Sequence, residues 1–248
     1  MNESTTHFGY REVPVTEKRK LVGAVFTSVA ARYDLMNDLM SFGMHRLWKR
    51  HFVAGSGVRA GDRVLDLAGG TGDIAALLLP RVGAGGSVVV GDINAAMLGV
   101  GRDRLTDRGL VRGLDWAQLD AEALPFADQS FDAVTIAFGL RNVTDKERAL
   151  AEMRRVLKTG GRALVLEFSR LTAPALAPLY DLHSFRVLPR LGQLIAGDAD
   201  SYRYLAESIR KHPDQATLKA MMESAGLAHV EVRNLSAGIV AIHRGYRL

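Results

Sequence analysis

At 248 residues, 48% hydrophobic and 24% charged, the chain has ordinary globular composition, which excludes a disordered polymer, a collagen-like repeat and a disulfide scaffold. With no cysteine it can form no disulfide, no Cys-ligated metal centre and no thiol nucleophile. Lys and Arg (32) exceed Asp and Glu (27), and the excess is spread out, densest at Arg11–Lys20 and Arg46–Arg50. Solvated faces account for that balance as well as an anionic membrane surface or a nucleic acid does. The N-terminus meets charge before any apolar stretch, and no apolar run approaches the roughly 18 residues of a membrane span. A cytoplasmic protein without signal peptide or span is expected.

Residues 1–20 read as a polar, loosely held arm. From Lys20 to Phe52 apolar residues recur at three- and four-residue spacing, which predicts helices broken near Arg32–Asp34 and Ser41–Gly43. An alternation then sets the fold. Strands are expected at Arg63–Leu67, Ser87–Val90, Leu114–Gln118, Phe131–Phe138 and Arg162–Phe168. Helices are expected at Asp73–Arg81, at Asn94–Arg108 with Asn94 as N-cap, and at Asp145–Leu157, stopped by Gly160-Gly161. After Ser169 the rhythm changes. Residues 170–212 carry Pro174, Pro178 and Pro189 and no convincing strand; then follow helix Pro213–Ala225 and strands His229–Val232 and Gly238–His243. Strand–helix alternation at this spacing predicts one α/β domain over residues 1–248. Its doubly wound, mostly parallel seven-stranded sheet has helices on both faces, an N-terminal helical cap over 1–52 and a lid-like helical insertion over 170–212, after the fifth strand. Ligands of such sheets bind beyond the carboxyl ends of the strands.

The strongest chemical signal is Val64-Leu-Asp-Leu-Ala-Gly-Gly-Thr-Gly-Asp73, a strand running into Gly69, Gly70, Thr71 and Gly72 with a helix starting at once. Glycines let backbone approach a ligand, and the helix N-terminus directs N–H groups at it. Asp92 closes the second strand, where a carboxylate accepts from both hydroxyls of a ribose. Gly70-Thr-Gly-Asp-Ile-Ala75 also satisfies the dinucleotide pattern G-x-G-x-x-A, so a nicotinamide-dependent oxidoreductase is one reading. Asp73 opposes it, because a carboxylate there would repel a pyrophosphate. A cofactor with an amino-acid tail brings an ammonium instead, as S-adenosylmethionine does. Asp66, inside the strand, either meets that cationic end or fixes the glycine turn. Asp120, after the third strand, is placed to accept from an adenine amine while the Ala121 N–H donates to a ring nitrogen; a plain turn acid is the alternative.

Phe126-Ala-Asp-Gln-Ser-Phe-Asp132 and Arg154-Arg-Val-Leu-Lys-Thr-Gly-Gly161 complete a pattern similar to class I S-adenosylmethionine methyltransferases, which have a Rossmann-like sheet. More specifically, Tyr33-Asp-Leu-Met-Asn-Asp-Leu-Met-Ser-Phe-Gly-Met-His-Arg-Leu-Trp48 resembles the N-terminal signature of the ubiquinone/menaquinone biosynthesis C-methyltransferase family, and Arg155–Ser169 resembles its second signature. Phe138-Gly-Leu-Arg-Asn142 and Asp198–Ile209 fit the same family, and the likeness runs from about His7 to the C-terminus. Thr159 replaces the family's proline, and Ala137 stands where a serine is expected, so residue 137 is not counted as a side-chain ligand.

The resemblance implies methylation of a ring carbon on a polyprenylated quinol: a demethylmenaquinol, a methoxybenzoquinol, or both. A sulfonium methyl is already activated, so neither metal nor covalent nucleophile is required; in-line positioning can contribute about 7–11 kcal/mol. A phenolic pKa near 10 calls for a base or a phenolate-stabilising cation. Arg141 and Asn142, just past the fourth strand, are the candidate catalytic pair, Arg141 for the phenolate and Asn142 for the hydroxyl. The alternative for Arg141 is an ion pair holding its loop. Tyr202, Tyr204, His45 and His183 are further candidates, more readily structural. Met36, Met40, Phe42, Met44 and Trp48 form either helix core or an apolar wall for a prenyl tail. No nucleic-acid partner is expected, because the basic residues lack aromatic interleaving. Weak peripheral contact at the inner face of a membrane is expected through Lys20–Phe52 and the insertion, where Lys49, Arg50, Arg186 and Arg190 lie beside Leu179, Tyr180, Phe185, Val187 and Leu188. A homodimer, or association with other quinone-biosynthesis enzymes, stays open. Rival readings are a methyltransferase for another small phenol and a non-enzymatic quinone-binding protein.

Overall fold

A computed structural model describes residues 5–30, 33–173 and 199–248, with positions 175, 178, 182, 190 and 193 between them. The chain order is β1 (Thr5–Phe8), β2 (Arg11–Pro14), α1 (Val15–Val29), α2 (Tyr33–Ser41), α3 (Met44–Ala54), β3 (Arg63–Leu67), α4 (Asp73–Val82), β4 (Ser87–Asp92), α5 (Ala95–Asp107), β5 (Leu114–Gln118), β6 (Phe131–Ala137), α6 (Lys146–Val156) and β7 (Leu157–Phe168). It ends with α7 (Ala199–Lys211), α8 (Gln215–Ser224), β8 (Ala228–Leu235) and β9 (Val240–Tyr246).

Seven strands form one sheet in the order β5-β4-β3-β6-β7-β9-β8. The first five run parallel, while β9 pairs antiparallel with both β7 and β8. In β3 the residues Val64, Leu65, Asp66 and Leu67 are all buried, as a central parallel strand covered on both faces must be. Leu65, Leu67, Val134 and Ile136 pack with Leu150 and Met153 of α6 and Leu218 and Met222 of α8 on one face. Val64, Val88, Val90 and Leu164 pack with Phe52 of α3 and with Ile74, Leu78 and Val82 of α4 on the other. The order reverses between β3 and β6. Ligand chemistry is therefore expected above the carboxyl ends of these two strands.

Three sequence expectations need correction. Residues 5–14 form a hairpin with Thr5 opposite Pro14, not a loose arm; Gly9 makes its turn at φ +60, and the Tyr10 N–H donates to Glu207 of α7 (3.0 Å). The first helix starts at Val15 rather than Lys20, directly after Pro14, whose missing N–H costs nothing ahead of a helix. Helix α6 ends at Val156, within a residue of its expected end, but β7 begins at once at Leu157 rather than at Arg162, because the chain turns extended before the glycine pair instead of after it. At the N-terminal side α1 and β1 meet α7: Val22, Tyr202, Tyr204 and Leu205 form a satellite core with Phe8, Val25 and Phe26, and the Phe8 and Tyr204 rings stack 4.2 Å apart. Most of 174–198, including Leu179, Tyr180, His183, Phe185, Arg186, Val187 and Leu188, lies outside the described residues.

Candidate active site

The turn after β3 explains its own sequence. Gly70 and Gly72 adopt φ +51 and +78, a region that costs a side-chain-bearing residue about 1–2 kcal/mol. A Cβ on Gly70 would sit 3.1 Å from Met97 and 3.8 Å from Asp92, inside the space a ligand needs. Ala68 and Phe138, each the first residue beyond its central strand, are also left-handed (φ +49 and +56), so backbone strain gathers at the switch point. Asn94 caps α5 as expected, its carboxamide oxygen accepting from the Ala96 and Met97 N–H groups.

Asp92 receives the Gly70 N–H on Oδ2 (2.9 Å) and the Asn94 N–H on Oδ1 (2.8 Å). A carboxylate has about four acceptor sites, so each oxygen retains one for a diol. Burial pushes the Asp92 carboxyl up, opposed by its backbone bonds to Asn94 and Gly70. Asp66 is fully inside: Thr135 donates to Oδ1 (2.7 Å), while Oδ2 is buried and has no hydrogen-bond partner among the described residues. Burial pushes this carboxyl up to about 7, against the Thr135 bond and the Lys49 ammonium. An acceptor left without a donor costs about 1–3 kcal/mol, and a cationic ligand end supplies the donor it lacks.

Asp73 plays a different part from the one expected. Lys49 of α3 reaches it at 2.7 Å and Arg104 of α5 at 2.5 Å. Burial raises its carboxyl, but the two cations outweigh that and hold it at about 2. Asp73 is thus a neutralised strut joining α3, α4 and α5, whereas Asp66 has no ion-pair partner among the described residues. Asp120 is also engaged, accepting from Arg19 of α1 (2.5 Å) and from the Glu122 N–H (3.0 Å).

A cavity runs between α1 and the strand ends, lined by Gly70, Asp92, Ile93, Met97, Asp120 and Ala121 on one side and by Phe138, Gly139 and Asn142 on the other. Val22, Gly23 and Phe26 of α1 roof it. A smaller cavity shares Ala68 and Gly70 and continues to Asp66, Thr71 and Lys49. Together they make one path from Asp120 across the glycine turn to Asp66. Every expected cofactor residue except Gly72 lines it; Gly72 is the left-handed N-cap of α4.

The two candidate catalytic residues separate. Asn142 lines the cavity and accepts the Tyr204 hydroxyl on Oδ1 (3.0 Å). Arg141 does not line it: its guanidinium is buried, paired to Glu167 (2.9 Å) and bonded to the Phe138 carbonyl. Glu167 accepts the Arg141 and Phe168 N–H groups as well, so the carboxylate of this buried pair is well bonded, while among the described residues Arg141 Nε finds no acceptor. That is the loop-holding alternative which the sequence left open. Burial raises the Tyr204 phenol well above its ordinary range and keeps its proton for Asn142. His45 is buried against Asp38 (2.8 Å), and burial and then Lys49 lower its affinity for a proton. The supposed aromatic–methionine cluster splits: Trp48 is core, Met40 packs against it, and Phe42 and Met44 are exposed.

Sequence reasoning missed Arg19, Lys49, Arg104, Glu167, Ile93 and Met97. Only the last two carried a local signal, flanking Asp92 and the Asn94 cap.

The pattern of the ubiE/COQ5 methyltransferase family matches residues 13–247. The chain belongs to that family. It is 69% identical over 244 residues to the ubiquinone/menaquinone biosynthesis C-methyltransferase UbiE of Xanthomonas axonopodis pv. citri, covering 98% of this chain and 96% of that protein. The UbiE of Stenotrophomonas maltophilia strain K279a is equally similar, at 69% over the same shares. Among solved structures, a SAM-dependent methyltransferase of Thermotoga maritima superposes with a TM-score of 0.63 at 20% identity, over 91% of this chain and 99% of that one, which speaks for the fold. This ubiE/COQ5 member is therefore a methyltransferase whose cofactor is S-adenosylmethionine. The residues fit that cofactor: acceptors for a diol at Asp92, a donor-seeking buried carboxylate at Asp66, and bare backbone between them at Gly70.

Proposed function

We propose that this protein methylates a ring carbon of a polyprenylated quinol, a demethylmenaquinol or a 2-polyprenyl-6-methoxy-1,4-benzoquinol, in the cleft between α1 and the ends of β3 and β6. The observation that supports the reading is the pair of adjoining cavities, sharing Ala68 and Gly70, that run from Asp120 past Asp92 to Asp66 with its unbonded Oδ2, with Asn142 opposite. Bound S-adenosylmethionine supplies a methyl group already activated by the sulfonium, so the protein has to bind, orient and exclude water.

Asp92 holds the ribose and Ala121 the adenine edge. Asp120 serves the adenine amine only where Arg19 yields it, because that ion pair covers it here. Asp66 balances the cationic tail. Asn142 is assigned to the substrate: with Oδ1 bound by Tyr204, its NH₂ is left to donate to a quinol oxygen, favouring the oxyanion that makes the neighbouring carbon nucleophilic. Arg141 is assigned to holding this loop in place through Glu167 and Phe138. Phe26, Phe138 and Val22 give the cleft the apolar walls a quinol ring needs.

The reading is tested by incubating the protein with S-adenosyl-[methyl-¹³C]methionine and a short-chain demethylmenaquinol or methoxybenzoquinol, then recording the ¹³C spectrum of the product. An aryl-methyl carbon is expected. A methoxy carbon from either substrate, or transfer only to unrelated phenols, would contradict it.

A further inference from the structure

Methylation of a quinol carbon needs a group that takes the proton of the neighbouring hydroxyl. Neither Arg141, a guanidinium buried on Glu167, nor Asn142, an amide, can do so. Among the described residues three carboxylates line the main cavity: Asp92, Asp120 and Glu122. Asp92 is assigned to the ribose, and Asp120 is covered by Arg19 on Oδ2 and by the Glu122 N–H on Oδ1. Glu122 differs. Its Oε1 accepts the N–H groups of Thr144 (3.0 Å) and Asp145 (3.1 Å), two and three residues past Asn142, so the side chain reaches from the β5–β6 connection to the loop that carries Asn142. Among the described residues no donor reaches Oε2, and Glu122 is only partly buried in the cavity wall.

We propose that Glu122 is the general base of the reaction: Oε1 fixes the carboxylate to the Asn142 loop, and Oε2 takes the proton of the quinol hydroxyl while the Asn142 NH₂ holds the oxyanion. The inference rests on the quinol reading. As the hydroxyl proton passes to Glu122, the ring carbon forms its bond to the methyl group, and the electrons of the broken sulfur–methyl bond stay on sulfur. The ring carbon then gives up its own hydrogen as a proton to water, and Glu122 returns its proton to the quinol oxygen. Two cations face this carboxylate, Lys18 of α1 and Lys146 of α6, and both donate to the Val143 carbonyl (3.5 and 3.0 Å). Arg19, held on Asp120, and Asp145 complete the charged surroundings. Burial, and then Lys146, pushes the Lys18 ammonium down to about 8. A base positioned in this way contributes about 10²–10⁴ in rate.

Glu122→Gln separates this role from a structural one, because the amide oxygen still accepts from Thr144 and Asp145 while the NH₂ cannot take a proton. Methylation of a short-chain quinol is followed for parent and variant across neutral to alkaline pH, with S-adenosylhomocysteine affinity by calorimetry and folding by circular dichroism. At neutral pH the kcat of the variant should fall about 100-fold or more, with cofactor affinity within about twofold of the parent. The deficit should narrow to roughly tenfold or less as the pH nears about 9.5, since a phenol with a pKa near 10 then increasingly arrives ionised. Lys18 loses its charge over the same range in both proteins, so the ratio of the two rates is what is read. A rate within about threefold of the parent at neutral pH would overturn the assignment. So would a deficit that stays constant with pH, or one matched by an equal loss of cofactor affinity, since either marks a structural support. These results would leave aryl methylation by the parent, and with it the quinol reading, intact; a parent that forms no aryl–methyl product would overturn both.

Discussion

At the β3–α4 turn, the groups that shape the cleft come from neighbouring strand ends: Gly70 with Asp92, Asp92 with Asn94, Asp66 with Thr135 of the adjacent strand. Across the cleft, α1 and α7 are held by single polar ties spanning the chain: Arg19 to Asp120, Asn94 to the Gly23 carbonyl, Tyr10 to Glu207, Tyr204 to Asn142. One half is rigid because it is the edge of a buried parallel sheet. The other rests on a small satellite core and on exposed or half-exposed hydrogen bonds, features that give low local stability. The sheet half is thus suited to recognising the cofactor and the cap half to admitting and positioning a substrate.

The largest effect should come from the joint between the halves. Glu167→Ala leaves Arg141 buried without its partner, which costs about 3–5 kcal/mol, and thermal unfolding should show it. A shift within the range of surface substitutions would mean that the loop is not held by this pair.

Asp66→Asn should separate function from stability. In the folded protein this carboxyl stays protonated to about pH 7, while in the unfolded chain it ionises near its ordinary value. Between those values the folded state holds the extra proton, so this group lowers stability as pH rises from about 4 to 7 and has no further effect above. Asn removes that loss. The variant without cofactor should therefore be about 1–2 kcal/mol more stable at pH 8, a gain held down by the new amide's missing acceptor, and should bind cofactor at least tenfold more weakly. For the parent, cofactor affinity should rise with pH through about 7. Flat affinity across that range would remove Asp66 from the cationic end.

This contrast also marks what the sequence made legible. The glycine turn, Asp92, the Asn94 cap and the seven strands were readable because each is local: strand end, turn and cap adjoin in the chain. Lys49 with Asp73, Arg19 with Asp120 and Tyr204 with Asn142 are separated by 24, 101 and 62 residues, and no periodicity announces such partners. Asp73 was misread for that reason: a carboxylate in a ligand turn looks available until two distant cations are found on it. The 5–14 hairpin was missed because four-residue strands flanking Tyr10 offer too short an alternation to outweigh their polar composition.

Smaller effects sharpen the cap half. Tyr204→Phe removes one hydrogen bond and should lower kcat about three- to tenfold with cofactor affinity unchanged. An equal loss in cofactor binding would instead make Tyr204 a general support of the cleft. Arg19→Ala should alter cofactor affinity by less than about fivefold, since the pair is largely exposed and screened, at 55% for Arg19. A loss beyond that would make Arg19 part of the binding site rather than a removable cover.

The central claim is that the cofactor lies across Gly70 with its ribose on Asp92. Calorimetric titration of S-adenosylhomocysteine into the parent and into Asp92→Ala, each verified as folded by circular dichroism, tests it most directly. The account predicts a loss of about 1.5–3 kcal/mol in binding free energy, the range for hydrogen bonds to a charged acceptor. Unchanged affinity in a folded Asp92→Ala variant would contradict it.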